Sequence, residues 1–488
     1  MIRRLLKWSI AALALLAAVL AVNTWRQSSR QTAVGPAPPL AFDQAAAVER
    51  LAAAVRLKTI SDPDDAKLNE GEFLRLHRQL ETGFPRTHAT LKRETVNDLT
   101  LLYTWPGSDP SAHPVLLMAH MDVVPVDEAT EKQWTHPGFS GARAEGFVWG
   151  RGAWDNKSNL MSQFEAIELL VQAGFKPRRT IHLLAGADEE VNGARGAGAA
   201  AALMKQRGVR FEFVLDEGLV ITEGIVPGIA NPVGLIGVAQ KGYMTAGLSV
   251  KFAKGGHSSL PPRESVIGVL AAGLARIEQQ PFEPAIAGVP EEMFARLAPE
   301  MSFPNRLFMS NLWLFRPLVL KILAAGDATR AQLHTTTALT TLKSGVKENV
   351  IPAQAHAQVN FRILPGETSD TVLQAVRDKL ADPRIEVTKP ARVFEPSRVS
   401  SSEARGFRAI EKALRQTFPG TIVSPGLFTA RADAGYFDTL ADNVYLFSPV
   451  RVRQANTARF HGIDERIAIA NYAEMVRFYH LFIQEAAR

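Results

Sequence analysis

The stretch VLLMAHMDVVP, residues 115–125, places a histidine and an aspartate directly after an apolar run. In an extended chain, residues two apart point to the same side, so we expect His120 and Asp122 to lie side by side where a buried strand ends. One interpretation is a polar strand end with a hydrogen-bonded histidine, because most buried polar groups simply pair. The alternative is a functional site, and the rest of the chain has to decide between the two.

Strands and helices alternate on both sides of this stretch. Strands are predicted at residues 99–105, 115–118, 180–187 and 211–216, and helices at residues 157–173 and about 194–205. This alternation predicts an α/β catalytic domain with a mixed, mainly parallel sheet. In such sheets the chemistry gathers at the carboxyl ends of the strands, so the polar residues that follow each strand are the first candidates for a site.

The pattern changes at about residue 241. The order of predicted elements becomes β-α-β-β-α-β, the ferredoxin-like arrangement, which indicates a lid or dimerisation domain at 241–395 inserted between two parts of the catalytic domain, 40–240 and 396–488. Within it, residues 281–331 form an extra apolar insertion that contains LFMSNLWLFRPLVLKIL. This insertion could be a lid, a partner surface or a membrane-apposed helix, or simply a packed helical hairpin.

The N-terminus has the residue pattern of a targeting signal. Arg3, Arg4 and Lys7 precede an apolar run at 8–22, so residues 1–26 are predicted to be a signal anchor or a signal peptide. The absence of a clean small-residue cleavage site favours an uncleaved anchor over a secreted form, with a buried N-terminal helix as the remaining alternative. Because the basic flank stays in the cytoplasm, the body would be periplasmic, outside the inner membrane. Residues 27–39 are predicted to be a linker.

Composition excludes several classes of function. The 55 basic residues exceed the 49 acidic residues by only six, and no long basic block follows the N-terminal segment, so no nucleic-acid partner is expected. The chain has no cysteine, which excludes disulfides and thiolate metal sites. Any metal ion must therefore be held by histidines and carboxylates.

Five polar clusters stand where the predicted topology places chemistry. They are His120 with Asp122, WGRGAWDNK at 149–157 with Asp155, GADEEVNG at 186–193 with Glu189 and Glu190, LDEG at 215–218 with Asp216 and Glu217, and RFHGIDER at 459–466 with His461. Each alone could be a helix cap, a solvated helix start, a turn or a loop histidine. Together, so many carboxylates at one sheet edge would repel one another unless a cation lay among them. Two histidines with carboxylates and no cysteine are a ligand set for a pair of zinc ions, or for manganese or cobalt.

A two-metal site suggests hydrolysis. It can polarise a carbonyl group and activate water, but it still needs a general base that does not bind metal. The adjacent Glu189 and Glu190 could divide these roles, one acting as the general base and the other binding metal. Asp122 is placed to accept a hydrogen bond from the second ring nitrogen of His120 and so to fix its tautomer.

In this order, the motifs HMDVVP, WGRGAWDNK, DEEVNG, DEG and FHGIDER resemble those of the dinuclear-zinc family of aminoacylase, carboxypeptidase and succinyl-diaminopimelate desuccinylase. The branch that they resemble most is that of carboxypeptidase S and the N-fatty-acyl-amino-acid hydrolases. The resemblance covers nearly the whole chain past residue 40. It implies a catalytic zinc-peptidase domain with an inserted lid and a homodimer contact.

The resemblance also implies roles for single residues. His120 and His461 would each bind one zinc ion, Asp155 would bridge both, Glu190 would complete one site, and Asp216 or Glu217 the other. Glu189 would be the general base and Asp122 the carboxylate behind His120. His257 in AKGGHSS would stabilise the oxyanion, often across a dimer interface, and Asn349 and Arg362 would hold the substrate carboxylate.

Two segments depart from the family pattern. Asn156 stands where a second aspartate is frequent, and ARADAGY at 430–436 keeps Asp433 but has Ala430, Ala432 and Gly435 in place of the usual glycine, threonine and arginine. The second segment lines the substrate pocket in relatives, so the substrate preference is left open.

The resulting hypothesis is a membrane-anchored or secreted metallohydrolase. It would cleave an amide bond next to an amino acid with a free carboxylate, in a peptide or an N-acyl amino acid, and the apolar insertion makes a lipidic acyl group a further hypothesis. The alternatives are a narrow dipeptidase or acetyl-amino-acid deacylase, and a non-catalytic binding protein on the same scaffold. Retention of Glu189 argues against the last of these, because metal binding alone does not need a general base.

Overall fold

A computed structural model describes residues 1–64 and 68–488 and contains an eight-stranded main sheet. In spatial order its strands are Lys92–Val96, Thr100–Trp105, Ile181–Gly186, Val115–His120, Phe211–Glu223, Ala441–Arg453, Val233–Gln240 and Ile422–Phe428. The four central strands, from Ile181–Gly186 to Ala441–Arg453, run parallel, whereas the first pairs of strands are antiparallel. The mixed, mainly parallel α/β sheet is thereby confirmed.

Helices cover both faces of the main sheet. One face packs against the helices Gln44–Val55, Lys157–Gln172, Arg405–Thr417 and Ile469–Ala486, and the other face packs against Ala197–Gln206. Two further helices, Glu70–Gly83 and Pro85–Thr90, precede the first strand of the sheet in the chain. Leu160, Phe164 and Ile167 are fully buried, as their spacing on one helix face predicts. Because both sheet faces are covered, the strand Val115–His120 is buried along its whole length.

The strand that carries Asp216 and Glu217 does not end there. The sequence suggests an end at residue 216, but the strand Phe211–Glu223 continues for seven more residues. In its pairing with the neighbouring strand, Asp216 lies opposite Leu446 and Leu219 opposite Phe447, so Glu217 and Gly218 have no partner. This is a β-bulge, which redirects side chains inside a strand and leaves no periodic signal in the sequence. Gly218 suits the bulge because it adopts a φ of 156°, and a Cβ atom there would come within 2.7 Å of Leu446.

A second, antiparallel sheet lies within residues 241–395, the segment predicted to be an inserted domain. Its strands, in spatial order, are Thr336–Ser344, Gln354–Ile363, Gly242–Lys251 and Glu386–Thr388, and the helices Val266–Gln279 and Ser369–Leu380 pack against them around a separate core. The chain order of these elements is that of the predicted ferredoxin-like arrangement. A two-stranded ribbon, Gly256–His257 with Val350–Ile351, extends from this domain.

The apolar insertion folds into four helices, which we call the insertion helices. They are Val289–Leu297, Asn305–Ser310, Leu312–Ala324 and Asp327–Leu333. They pack on the outer edge of the main sheet, where Met293, Phe294 and Leu297 share one core with Val233 and Ile422. The insertion therefore packs with the main sheet, although its sequence lies within the predicted inserted domain.

The N-terminal helix Ile2–Arg26 is long and apolar enough to cross a membrane, with a mean hydropathy of 2.3 over an unburied 18-residue window. A signal sequence meets the same criteria. The end of this helix contacts the insertion helices, because Asn23 Nδ2 donates to Asn311 Oδ1 at 3.1 Å and Arg306 donates to the carbonyl of Thr24 at 3.2 Å.

The predicted linker lies against the main sheet. No helix or strand is assigned between residues 27 and 43, but Gln31 pairs with the outer strand: its side-chain oxygen accepts from Val423 N at 2.7 Å and its amide donates to Val423 O at 2.9 Å. The segment thus covers part of an edge strand that would otherwise be open to pairing.

A small three-stranded sheet brings two of the polar motifs together. It consists of Ala142–Ala144, Phe147–Trp149 and Arg466–Ala468. Trp149 pairs with Arg466, so WGRGAWDNK and RFHGIDER, far apart in the chain, begin and end at neighbouring positions in space. This pairing positions the loop of Asp155 beside the loop of His461.

Candidate metal centre

The central parallel strands bring their carboxyl ends to one edge of the main sheet. His120 is the last residue of its strand, and the flanking parallel strands supply Asp188–Glu190 on one side and Asp216–Glu217 on the other. Parallel strands expose their carboxyl ends on the same side, so the topology alone gathers these side chains.

Asp155 lies between the two predicted histidine ligands. Its Oδ1 atom is 3.0 Å from Nε2 of His120, and its Oδ2 atom is 2.8 Å from Nε2 of His461. The residue is only 4% exposed. One carboxylate oxygen therefore faces each imidazole, and this position is compatible with the predicted role of Asp155 between two cations.

Glu190 and Glu217 extend this arrangement to opposite sides. Glu190 Oε1 is 3.3 Å from Nε2 of His461, and Glu217 Oε1 is 3.4 Å from Nε2 of His120. Donor atoms of His120, Asp155 and Glu190 lie within 4.8 Å of one another, and so do those of His120, Glu189 and Glu217. Among the described residues, the buried Oε1 atom of Glu190 has no hydrogen-bond partner. The donor set thus fits a pair of divalent cations.

The geometry separates Asp216 from Glu217. Both oxygens of Asp216 accept backbone N–H groups, from Glu217 and from Ala434, each at 2.8 Å. Glu217 instead points at His120 and is contacted by the side-chain amide of Asn156. The two positions that the sequence leaves open therefore differ, and Glu217 is the better placed to bind metal.

Asp122 lies behind His120. The Nδ1 atom of His120 is 2.9 Å from the backbone carbonyl of Asp122 and 3.3 Å from its carboxylate. The carboxylate also accepts the backbone N–H groups of Glu189 and Glu190, at 3.2 and 3.0 Å, and the hydroxyl of Ser61 at 2.6 Å. Asp122 therefore orients both the imidazole and the loop of the two glutamates, while Nε2 of His120 stays directed at Asp155.

Glu465 supports the site and was missed as a functional residue from the sequence. It is fully buried and pairs with Arg151 at 2.5 Å. Its Oε1 atom accepts the backbone N–H groups of Gly152, Trp154 and Asp155 at 2.9, 2.9 and 3.1 Å. Glu465 therefore holds the loop that presents Asp155. The sequence does contain a signal for this pair, because Arg151 in WGRGAWDNK and Glu465 in RFHGIDER carry opposite charges. In RFHGIDER, the motif comparison points only to His461.

The electrostatics of the site are those of crowded buried carboxylates. Burial, together with Asp155, raises the pKa of Glu217 to about 8, and burial raises the pKa of Glu189 well above its usual range. The hydrogen bond to Asp155, together with the nearby carboxylate of Glu190, raises the pKa of His461 to about 10. A cluster that takes up protons so readily is one in which divalent cations can replace them.

The three remaining predicted residues lie in the inserted domain. His257 is exposed, and its Nδ1 atom is 2.8 Å from the hydroxyl of Ser259; Asn349 is also exposed; Arg362 lies 4.7 Å from the ring centre of Tyr243. Within the described part of the chain, no hydrogen bond, ion pair or ring contact joins these three residues to the metal-ligand candidates. Their roles stay predictions.

The altered ARADAGY segment packs directly behind the site. The N–H of Ala434 binds Asp216, and the buried Asp433 leaves its Oδ1 atom without a partner among the described residues. Arg431 stacks on Phe394 at 3.8 Å and on Tyr436 at 4.7 Å from the ring centres. The departures from the family pattern therefore lie next to the site rather than within its ligand set.

A centre of two histidines and several carboxylates, at the carboxyl edge of a mainly parallel α/β sheet, is that of a metal-dependent hydrolase. The sequence profile of Peptidase family M20/M25/M40 matches residues 116–485, and the chain belongs to this family. The resemblance drawn from the ordered motifs is thereby confirmed. The protein is an enzyme that hydrolyses amide bonds of peptides or N-acyl amino acids with a metal cofactor.

Individual relatives cover almost the whole chain. A probable carboxypeptidase S-like protein of Dictyostelium discoideum is 36% identical over 480 residues, 96% of this chain and 92% of the relative. An N-fatty-acyl-amino acid synthase/hydrolase of Danio rerio is 40% identical over 442 residues, 89% of this chain and 84% of the relative. The fold is similar to that of an M20 family metallo-carboxypeptidase of Sulfolobus solfataricus, with a TM-score of 0.67 at 17% identity, covering 91% of this chain and all of the other.

Proposed function

We propose that this chain uses two zinc ions, with cobalt or manganese as possible substitutes, to hydrolyse N-acyl amino acids that have a free carboxylate. The observation that carries the proposal is the position of Asp155, whose two oxygens each face one histidine. The apolar insertion and the 40% identical relative, named for N-fatty-acyl amino acids, support an acyl substrate. The relative named as carboxypeptidase S-like supports the second candidate, a peptide substrate.

Six residues carry the proposed chemistry at the metal centre. His120, Asp155, Glu190, Glu217 and His461 would hold the ions, which supply Lewis-acid polarisation of the scissile carbonyl and of the attacking water. Glu189 takes the proton from that water and returns it to the nitrogen of the departing amino acid. Asp122 fixes the backbone N–H of Glu189, so the position of this base is set before the substrate binds.

Binding of the substrate's carboxylate is assigned to the inserted domain. Arg362 offers a planar guanidinium that matches a carboxylate, Asn349 adds an amide donor, and His257 stabilises the oxyanion. Because these side chains lie apart from the metal centre in a single chain, they would complete the site through closure of the inserted domain or from a second copy of the chain.

A substrate panel tests this assignment. The purified enzyme is given N-acetyl, N-octanoyl and N-lauroyl derivatives of one amino acid, their methyl esters, and dipeptides. We expect kcat/KM to be highest for the long-chain acyl amino acids and to fall about a hundredfold for the esters, which lack the carboxylate that Arg362 would bind. Dipeptides turning over faster than every acyl amino acid would support the peptidase instead, and no turnover of any compound would overturn both.

The inserted domain also suits a homodimer. Among the described residues, its strand Thr336–Ser344 is an edge strand that pairs only with Gln354–Ile363, and the side chains of Leu339 and Leu342 on it are 39% and 57% exposed. Exposed apolar edge strands associate with other chains. We expect the wild type to sediment as a dimer and Leu342→Asp as a monomer with reduced kcat. The matched control is Val346→Asp, in the exposed turn after the strand. A monomeric wild type, or a dimeric Leu342→Asp variant, would contradict the interface.

The N-terminal helix is assigned as an uncleaved anchor, with the body on the periplasmic side of the inner membrane. The basic residues Arg3, Arg4 and Lys7 support this orientation. Intact-mass measurement and alkaline extraction of the expressed full chain test it. Recovery of a soluble chain that lacks the first residues would show a cleaved signal peptide and a secreted enzyme.

A further inference from the structure

A cavity of about 300 Å³ lies between the insertion helices and the outer part of the main sheet. The sheet contributes Leu219, Leu235 and Leu427 to its wall, and the insertion helices contribute Met309, Leu318 and Ile322. None of the described residues that line it is charged. Its volume is at the lower end of the range of small-molecule sites.

The cavity has an exposed rim on the helix Leu312–Ala324. Leu318 and Ile322 belong to its lining and are nevertheless 46% and 61% exposed, so they form the rim of the opening. The same helix, Leu312–Ala324, also exposes Trp313 by 60%. Asn311, at the start of this helix, donates to Thr24 Oγ1 at 3.2 Å. The helix that forms this rim thus begins beside the only described helix apolar enough to cross a membrane.

The inner end of the cavity approaches the metal centre. Leu219, which lines the cavity, follows Glu217 by two residues in the same strand, directly after the bulge. The cavity wall therefore begins two residues along the chain from a metal-ligand candidate.

The chemistry of the lining favours one class of occupant. A peptide segment would bring backbone N–H and C=O groups into a space with few polar partners, which is costly. An alkyl chain has no such groups, and each methylene that it buries strengthens binding by about fourfold.

We propose that this cavity binds the alkyl chain of an N-acyl amino acid, with the end of the chain toward Leu318 and Ile322. The proposal rests on the proposed function, because it places the acyl group of the same substrate. It assigns the selection of chain length to the insertion helices rather than to the catalytic residues.

The test uses Ala328, which lines the cavity and is itself exposed. A larger side chain at this position narrows the cavity without overpacking the protein core. In the full chain, Ala328→Trp is expected to raise the ratio of KM for N-lauroyl to KM for N-acetyl substrate by at least about tenfold, the effect of removing two methylenes from the cavity. Ala325→Trp, an exposed alanine in the same region that does not line the cavity, is the control and should leave the ratio unchanged. An unchanged ratio in Ala328→Trp, or an equal change in both variants, would overturn the proposal.

A second measurement does not depend on turnover. A long-chain N-acyl amino acid with a terminal diazirine is photolysed with the full chain in membranes, and the labelled peptides are mapped. We expect labels on cavity residues in the wild type and in Ala325→Trp, and their loss in Ala328→Trp. Labels on the N-terminal helix alone would overturn the cavity assignment. If the enzyme turns over only dipeptides while the cavity is still labelled, the proposed substrate fails and the alkyl-binding site stands.

Discussion

Replacing Glu189 with glutamine is expected to lower kcat by a factor of about 10² to 10⁴ while the protein keeps its full metal content. Glutamine has nearly the same shape but cannot take a proton from water. The backbone N–H of residue 189 still binds Asp122, so the loop geometry is retained. Steady-state hydrolysis of an N-acyl amino acid and metal analysis of the same sample check both parts of this prediction.

The neighbouring glutamate provides the matched control. Glu190→Gln makes the same chemical change one residue later, at a side chain whose Oε1 atom is 3.3 Å from His461. This variant should lose metal affinity, and its activity should recover in part at high zinc concentration. If Glu189→Gln loses metal while Glu190→Gln keeps it, the two roles are exchanged.

The second large effect is expected at Glu465. Glu465→Gln removes the charge that neutralises Arg151, and both side chains are almost completely buried, at 0% and 4% exposure. Leaving a buried charge without its partner costs about 3–5 kcal/mol. We expect a loss of that size in the free energy of unfolding, measured with urea, together with weaker metal binding because the loop of Asp155 loses its support.

Two further variants show whether the buried pair is the cause. Asp464→Asn changes the adjacent carboxylate, which binds the exposed Thr135, and should cost less than about 1 kcal/mol. Arg151→Met combined with Glu465→Gln should recover part of the stability that Glu465→Gln loses, because no buried charge remains. A Glu465→Gln protein with unchanged stability and metal content would refute the supporting role.

Several features of the site follow from local sequence patterns. The apolar run that ends at His120 and the alternation of strands with helices are sufficient to predict a parallel sheet and to place the ligand candidates at its carboxyl edge. Asp155 precedes a helix whose apolar spacing is regular, so its position beside the strand ends was also accessible. These predictions work because periodicity and strand ends are local properties of the chain.

Other features depend on contacts that no local pattern records. The bulge at Glu217 arises from a mismatch in pairing with the strand that contains Leu446, more than 200 residues later in the chain. The support of Asp155 by Glu465 likewise needs two distant motifs to meet. The insertion helices pack on the catalytic domain because their apolar faces meet the outer strand there, and only the folded chain fixes that neighbour.

The most direct test of the central claim is a titration of metal content against activity. The purified full chain is stripped with a chelator, reloaded with measured amounts of zinc and assayed on an N-acyl amino acid at each step. The account predicts that two zinc ions bind per chain, that activity is lost on stripping, and that it returns as the sites fill. Full activity in the stripped protein, with no metal bound, would contradict a dinuclear metal centre at His120, Asp155 and His461.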